Sequence, residues 1–155
     1  MKTVNVDICP MYSDVTIPEY KTSGSAGCDI RAYIKDYEPD TSEKVSYIYP
    51  GDTKLINTGI KVKVPEGYYM AVVPRSGLSL KTKMRIANSP GTVDSDYILE
   101  VGIIVDNIGR DRITISHGDR IAQLLFLPCY QAIWKIKNNL EKTERIGGFG
   151  STGIK

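Results

Sequence analysis

The chain has 155 residues and a mass of 17.2 kDa, the size of a single domain built around one core. Its 20 basic and 18 acidic residues are scattered and give a net charge of +2, without the basic stripe that duplex binding requires. No run of 18 apolar residues and no basic-then-apolar leader occurs, so we expect a soluble, cytoplasmic protein that binds neither membrane nor nucleic acid.

The three cysteines, Cys9, Cys28 and Cys129, lie far apart and form no C-x-x-C pair. An odd number of cysteines at such spacing indicates neither a disulfide framework nor a zinc site. We therefore expect reduced thiols, as in an intracellular protein.

Short runs rich in Val, Ile and Tyr follow one another along most of the chain and predict β-strands. The clearest run is residues 59–65, where Ile60, Val62 and Val64 alternate with two lysines as in a half-buried strand. The other predicted strands are residues 4–8, 45–50, 68–74, 101–107, 112–116 and 122–128. Turn formers separate these runs, which is typical of a β-sandwich, a jelly roll or a barrel.

Helical patterns are few. A short helix is predicted near Ser79 to Met84, after a glycine. Residues Gln131 to Glu144 fit a helix or a strand, and we interpret them as a strand that runs into a polar tail. Residues Asp36 to Val45 have the composition of a solvent-facing loop.

Five polar or glycine-rich segments interrupt the strand pattern and are the candidates for chemistry. They are residues 25–32 (SAGCDIRA), 74–81 (PRSGLSLK), 88–100 (NSPGTVDSDYILE), 118–125 (GDRIAQLL) and the C-terminal 145–155 (RIGGFGSTGIK). The second segment follows a strand and contains a guanidinium, a hydroxyl and a glycine. Its backbone N–H groups can therefore turn toward a phosphate. A strand-ending turn with an exposed arginine is the alternative. The C-terminal segment offers similar groups, with a disordered terminus as the alternative.

The third segment places Asp94 and Asp96 on either side of a serine. A carboxylate beside a phosphate site can hold a metal or act as a general base on water, but both aspartates are equally compatible with turn formation. In the fourth segment Gln123 is a lone polar residue on an apolar strand and should face a partner or water. His117, the single histidine, is interpreted as a solvated turn residue, since no Ser-His-Asp or Cys-His arrangement is present.

Taken in order, the five segments resemble the five motifs of the trimeric dUTPase family: A-G-x-D-L-x-A, P-R-S-G-L-A, G-x-I-D-x-D-Y, G-D-R-I-A-Q and G-G-F-G-S-T-G. The resemblance extends from about residue 23 to residue 153. It implies an all-β, jelly-roll or β-clip-type subunit with one short helix, which assembles as a homotrimer with active sites at subunit interfaces. It also implies a β domain at residues 1–144 and a flexible C-terminal arm at residues 145–155 that closes over the active site.

The activity implied by the resemblance is hydrolysis of dUTP to dUMP and pyrophosphate, which limits uracil in DNA and supplies dUMP for dTMP synthesis. Asp94 matches the aspartate that activates the attacking water. Asp29 matches the aspartate that holds Mg²⁺ through water, the ion itself lying mainly on triphosphate oxygens. The residues matched to uracil and deoxyribose binding are Asn88, Gly91, Thr92, Val93, Tyr97 and Phe149. Those matched to phosphate binding are Arg75, Ser76, Gly77, Gln123, Arg145, Gly150, Ser151 and Thr152.

Three features depart from the family pattern. Arg145 lies one residue nearer Phe149 than in the usual R-G-x-G-G-F, and Leu99 occupies a position after Tyr97 where a glycine is usual. The stretch between the first and second motifs is longer, consistent with an extra hairpin or loop near residues 38–46.

Two alternative functions belong to other classes. The related dCTP deaminases have R-S-S in the second motif, where this chain has Gly77. A dUTPase-like regulatory protein, switched by nucleotide and bound to an unknown protein partner, is the other alternative.

Overall fold

The computed structural model describes residues 2–36, 38, 42–144 and 147. Within these residues the chain forms one short helix and ten strands. They are β1 Asp7–Pro10, β2 Cys28–Arg31, β3 Val45–Ile48, β4 Thr53–Lys63, β5 Tyr68–Val73, α1 Ser76–Lys81, β6 Met84–Ile86, β7 Gly91–Val93, β8 Glu100–Asn107, β9 Ile113–Ser116 and β10 Arg120–Pro128. The predicted all-β fold with one short helix is confirmed.

The strands form two four-stranded antiparallel sheets and one two-stranded ribbon. The first sheet has the order β1-β4-β8-β6, the second has the order β2-β10-β5-β7, and β3 pairs with β9. Both large sheets contribute to one apolar cluster, which includes Ile60 and Ile103 from the first sheet and Ile30, Met70 and Leu124 from the second. The subunit is therefore a jelly roll with a single core.

Side-chain alternation explains how these strands bury one face. In β8 the residues Val101, Ile103 and Val105 are at most 1% exposed, while Glu100 and Gly102 point to the outer face. Exclusion of the inner apolar face from water stabilises the strand at about 25 cal/mol per Å² of buried area. The strand predicted at residues 101–107 is confirmed.

The predicted helix at Ser79 to Met84 begins three residues too late. Helix α1 covers Ser76–Lys81, and Met84 is the first residue of β6, where it is buried. The apolar side chain of Met84 packs in the core as part of β6, so the helix has to end before this residue.

The strand predicted from Gln131 to Glu144 is wrong, since these described residues form neither a strand nor a helix. Strands are stable only when paired, and no strand of the described chain pairs with this segment. Large side chains here are 87–97% exposed: Tyr130 just before the segment, and Ile133, Trp134, Ile136 and Leu140 within it.

Two motif segments that were interpreted as interruptions of the strand pattern contain strands that the sequence pattern did not predict. Residues 25–32 include β2, and residues 88–100 include β7 and the start of β8. Strand β7 has three residues and β2 has four, which is too short for a side-chain period to be visible in the sequence. The loop predicted at Asp36 to Val45 is described only in part, and its last residue, Val45, is buried in β3.

A bulge in β4 brings three parts of the chain together. Its register with β8 shifts between Asn57, opposite Gly102, and Lys61, opposite Glu100. Gly59 lies in the bulge with φ +70°, and its carbonyl oxygen accepts a hydrogen bond from Met11 N at 2.8 Å. A Cβ on Gly59 would lie 2.6 Å from Val15 Cγ2, so glycine is needed here for space as well as for backbone conformation.

No helix among the described residues has the length and apolar character that crossing a bilayer requires.

Replacing Gly59 by alanine should cost more stability than the same change at another left-handed glycine. Gly67 has φ +82° but open space around its Cβ position, so Gly67→Ala should lower the free energy of unfolding by about 1–2 kcal/mol through conformation alone. Gly59→Ala adds the clash with Val15 and should lower it by about 2–5 kcal/mol. Urea denaturation of both variants measures the difference. Equal losses would show that the bulge relaxes freely.

Candidate active site

A pocket of about 280 Å³ opens on the segment that joins β6 to β8. This volume lies close to the lower end of the range for small-molecule sites. Its wall contains all the described residues that the resemblance assigns to the base, the sugar and the attacking water: Asn88, Gly91, Thr92, Val93, Asp94 and Tyr97. The other side of the pocket is the outer face of the first sheet, with Leu55, Asn57, Glu100, Gly102 and Ile104.

Asn88 lies directly against Gly91. A Cβ on Gly91 would be 3.3 Å from Asn88 Nδ2 and 3.3 Å from Val72 Cβ. The missing side chain of Gly91 thus leaves the Asn88 amide its position at the pocket, where an amide can both donate to and accept from a base.

The turn from Asp94 to Tyr97 is closed by main-chain atoms. Tyr97 N donates to Asp94 O at 3.2 Å, and the Tyr97 hydroxyl donates to Glu100 O at 2.8 Å. Within the described residues the carboxylate of Asp94 has no hydrogen-bond partner, and it is exposed at the pocket wall. The aspartate is therefore not required as a side-chain turn former and is available to water. Leu99, where the family has a glycine, is 62% exposed and is not among the residues that line this pocket.

A second group of predicted residues surrounds Asp29 on β2. One Asp29 oxygen accepts from Arg75 Nε at 2.8 Å and the other from Arg120 Nη1 at 2.9 Å, while the Asp29 side chain is only 15% exposed. Arg75 Nη1 also donates to Arg120 O at 3.0 Å. The alternative of a solvent-exposed arginine at a strand end is therefore wrong, because Arg75 is oriented by a largely buried carboxylate.

Gln123 lies beside this group on β10, opposite both Asp29 on β2 and Val73 on β5. Its Nε2 donates to Pro74 O at 3.0 Å, and its Oε1 would lie 2.8 Å from a Cβ on Gly27. The amide thus fills the space that Gly27 leaves and holds the end of β5, from which Arg75 projects.

Helix α1 begins immediately after Arg75. Ser76 and Gly77 form its exposed first turn, and the residue before it provides no side-chain cap. The first N–H groups of a helix have no intrahelical acceptor, so they remain available to an anion or to water.

Asp94 of the pocket and Arg75 of the Asp29 group lie at opposite ends of β5. The register places Val93 opposite Met70, so Asp94 follows at the level of Tyr69. Arg75 is six residues farther along the same strand direction, which corresponds to roughly 20 Å at 3.3 Å per residue. One chain therefore does not bring Asp94 next to Arg75.

His117 was interpreted from the sequence as a solvated turn residue. In the structure it is not at the pocket, but its ring is packed rather than simply solvated. Its ring packs edge-on against Tyr33 with 4.9 Å between centroids, and Nδ1 lies 3.1 Å from Ile34 O. Nearby, the hydrogen bond from the Tyr33 hydroxyl lowers the pKa of the Asp14 carboxyl, and Lys44 and His117 act in the same direction. This cluster connects the N-terminal segment to the turn before β10 and contributes nothing to the pocket.

Two residues of the site were missed by sequence reasoning. Arg120 lies in a quoted motif but was assigned no role, and its partner Asp29 is 91 residues away in sequence. Glu100 lines the pocket and binds a backbone amide of β4. Only the strand register brings these partners together, so no local signal reveals them.

A magnesium ion has few direct protein ligands in this arrangement. Among the described residues no three His, Cys, Asp or Glu side chains form a group that could hold a metal ion. Asp29 already accepts from two arginines, so it fits an ion held through water better than one bound directly. The arm residues Arg145, Phe149, Gly150, Ser151 and Thr152 lie outside the described residues.

Comparison with known proteins identifies the family of the chain. The protein-family model for dUTPase matches residues 13–153. A deoxyuridine 5'-triphosphate nucleotidohydrolase of Desulfotalea psychrophila is 46% identical over 141 residues, covering 90% of this chain and 89% of that protein. The dUTPase of Staphylococcus bacteriophage 80alpha with dUPNHPP has a TM-score of 0.84 at 25% identity, covering 98% of this chain and 100% of that one.

A mutant dUTPase from phage phi11 of S. aureus, studied for the coordination of a structural Mg(II) ion, shares the fold. Its TM-score is 0.76 at 22% identity, with 89% of this chain and 99% of that chain covered. Since the family model covers most of the sequence and the bacterial relative is similar over nearly all of it, the chain belongs to the dUTPase family.

Proposed function

We propose that this chain is a dUTP diphosphatase that hydrolyses dUTP to dUMP and pyrophosphate, with Asp94 as the general base. The observation that carries the proposal is the pocket that gathers Asn88, Gly91 and Tyr97 around the Asp94 carboxylate, which has no hydrogen-bond partner among the described residues. The protein would act in the cytoplasm, limiting dUTP available for incorporation into DNA and supplying dUMP for dTMP synthesis.

The chemistry requires one proton acceptor beside the α-phosphorus. A water molecule loses a proton to Asp94 as its oxygen forms a bond to that phosphorus. The bond from the α-phosphorus to the bridging oxygen breaks, and the electron pair leaves with pyrophosphate. The exposed Asp94 carboxylate supports this role because it has no competing partner within the described residues.

The nucleoside is bound by the hairpin around β7. We propose that Asn88 hydrogen-bonds uracil, with Gly91, Thr92 and Val93 closing around the base. Cytosine presents a donor where uracil presents an acceptor, so a fixed amide leaves buried groups unpaired with the wrong base. Tyr97 is held by its bond to Glu100 O at 2.8 Å, which supports a rigid wall against a 2′-hydroxyl.

The triphosphate is bound by the group around Asp29. Arg75 and Gln123 supply donors, and Ser76 and Gly77 add the first turn of α1. Asp29 holds Arg75 in place and would bind Mg²⁺ through water. When bound, Mg²⁺ supplies positive charge that stabilises the leaving pyrophosphate.

The hairpin pocket and the group around Asp29 are the two half-sites of the proposed active site. They have to come from different chains. A general base must lie within hydrogen-bond reach of its water, whereas Asp94 and Arg75 of one chain are roughly 20 Å apart along β5. We therefore propose a homotrimer in which the hairpin pocket of one subunit faces the Asp29 group of another. The apolar segment after β10, with Trp134 87% exposed, supports such an assembly because exposed patches of this kind mark protein interfaces.

The C-terminal arm completes the proposal. Phe149 would stack on uracil, while Arg145, Gly150, Ser151 and Thr152 would bind the phosphates. Ordering the arm costs about 1–2 kcal/mol per residue, which only a complete triphosphate offsets. Arm closure would then exclude water from the site.

Asp94→Asn should abolish pyrophosphate release without abolishing binding. Loss of a general base lowers kcat by about 10²–10⁴-fold, and the amide keeps the size of the side chain. The measurement is pyrophosphate release from dUTP, dCTP, dTTP and UTP with magnesium, with Asp96→Asn as the matched control on the same turn.

Three outcomes contradict parts of this proposal. Full activity of Asp94→Asn would show that Asp94 is not the general base. Binding of dUTP by the unmodified protein without hydrolysis favours the regulatory alternative. Deamination of dCTP places the chain with the deaminases.

The cross-subunit site should be revealed by mixing two inactive variants. Asp94→Asn inactivates the hairpin half-site and leaves the phosphate half-site intact. Arg75→Ala inactivates the phosphate half-site and leaves the hairpin half-site intact. After denaturation and refolding of an equal mixture, random assembly gives about one quarter intact sites, since each site draws its halves from two chains. The measurement is dUTP hydrolysis relative to an equal amount of the unmodified protein refolded in the same way. No recovery of activity, in a mixture shown by light scattering to be trimeric, would place both halves in one chain.

A further inference from the structure

We infer that Glu100 is a positioning residue of this site, because its carboxylate ties the Asp94–Tyr97 turn to the bulge of β4. The inference rests on the proposed function, since it concerns how the nucleoside half-site is held. It assigns no chemical step to Glu100.

The contact is a short hydrogen bond from Gly59 N to Glu100 Oε1, at 2.7 Å and partly buried. A carboxylate that accepts from a backbone N–H forms a charge-assisted bond, roughly twice as strong as a neutral one. Glu100 also lines the pocket beside Tyr97.

The bulge explains why a side chain is needed at this place. Asn57 is opposite Gly102 and Lys61 is opposite Glu100, so three residues of β4 face the single residue Val101 of β8. An unequal count disrupts the ladder and leaves backbone groups unpaired. Glu100 provides an acceptor for the Gly59 N–H.

The same residue holds the other side of the connection through its main chain. The Tyr97 hydroxyl donates to Glu100 O at 2.8 Å, and Tyr97 N donates to Asp94 O at 3.2 Å. Three hydrogen bonds thus connect the bulge to Glu100, Glu100 to Tyr97, and Tyr97 to Asp94.

The bulge is a firm point of attachment. Gly59 O accepts from Met11 N at 2.8 Å, and the neighbouring Asn57 O accepts from Tyr33 N at 2.8 Å. Val15 and Tyr33 also fill the space around Gly59. A turn tied to this point keeps its side chains close to one geometry, which a selective site needs.

If Glu100 had a purely structural role, its replacement would lower the stability of the fold but would not change the preference for dUTP over UTP. Asp106 provides the matched control, because it lies on the same outer face of β8 and accepts a hydrogen bond from Thr53 Oγ1 at 2.6 Å. It is six residues from Glu100, roughly 20 Å along the strand. It belongs to neither half-site.

The experiment compares Glu100→Ala, Glu100→Gln and Asp106→Ala in the full chain. Glu100→Ala should speed hydrogen exchange of the Gly59 amide, measured by NMR, by about tenfold or more, since it removes a charge-assisted hydrogen bond. It should lower kcat/KM for dUTP about tenfold and narrow the preference for dUTP over UTP, because the main chain that binds the Tyr97 hydroxyl is no longer tied to the bulge through the Glu100 side chain. Glu100→Gln keeps an acceptor and should lose only about two- to threefold. Asp106→Ala should leave the Gly59 exchange and the dUTP to UTP ratio unchanged.

The outcomes separate this inference from the proposed function. Unchanged Gly59 exchange in Glu100→Ala overturns it, whatever the activity, as does a dUTP to UTP ratio equal to that of Asp106→Ala. If the unmodified protein does not hydrolyse dUTP, the proposed function fails. Binding of the imido analogue dUpNHpp then decides the inference: weaker binding to Glu100→Ala than to Glu100→Gln supports it, and equal binding overturns it.

Discussion

Strand β5 sets the distance between the two halves of the site, because it pairs with β10 along one edge and with β7 along the other. Its backbone ladder cannot shorten, so the residues at its two ends stay apart whatever their side chains do. The Asp29 group forms where β5 ends near Gln123, and the hairpin pocket forms where β7 runs past β5. The proposed hydrolysis of a triphosphate needs both groups, which is why we propose that a second chain brings them together.

The two halves are stabilised by different interactions. Around Asp29 the order is electrostatic: one carboxylate, 15% exposed, orients two guanidinium groups that would otherwise be flexible and solvated. Around β7 the order comes from backbone hydrogen bonds and from the absence of a side chain at Gly91. The first arrangement suits a charged and rotatable triphosphate, whereas the second suits a flat base that has to be distinguished from close analogues.

Sequence was a good guide wherever an interaction was local. The alternation of Ile60, Val62 and Val64 predicts a strand because each side chain reports its own face, and all three are buried. The residues of the hairpin pocket were predicted together because they lie within one short segment. The links from Asp29 to Arg120 and from Gly59 to Glu100 span 91 and 41 residues, and they depend on register, which a bulge alters. The segment from Gln131 to Glu144 was interpreted as a strand because its apolar side chains fit one, but a strand needs a partner that the described chain does not offer.

The proposed placement of the half-sites on different chains would also change what determines selectivity. Within one subunit the hairpin pocket can discriminate between bases and sugars only as well as its own rigidity allows, and that rigidity comes from the bulge through Gly59 and Glu100. In the proposed trimer the triphosphate would be recognised by groups on a neighbouring subunit, and their distance from the base would depend on how the subunits pack. A nucleotide would then be a good substrate only when its base fits one chain while its phosphates reach the next. An error in either fit would separate the α-phosphorus from the proposed base Asp94, so the assembly itself would act as a second test of the substrate.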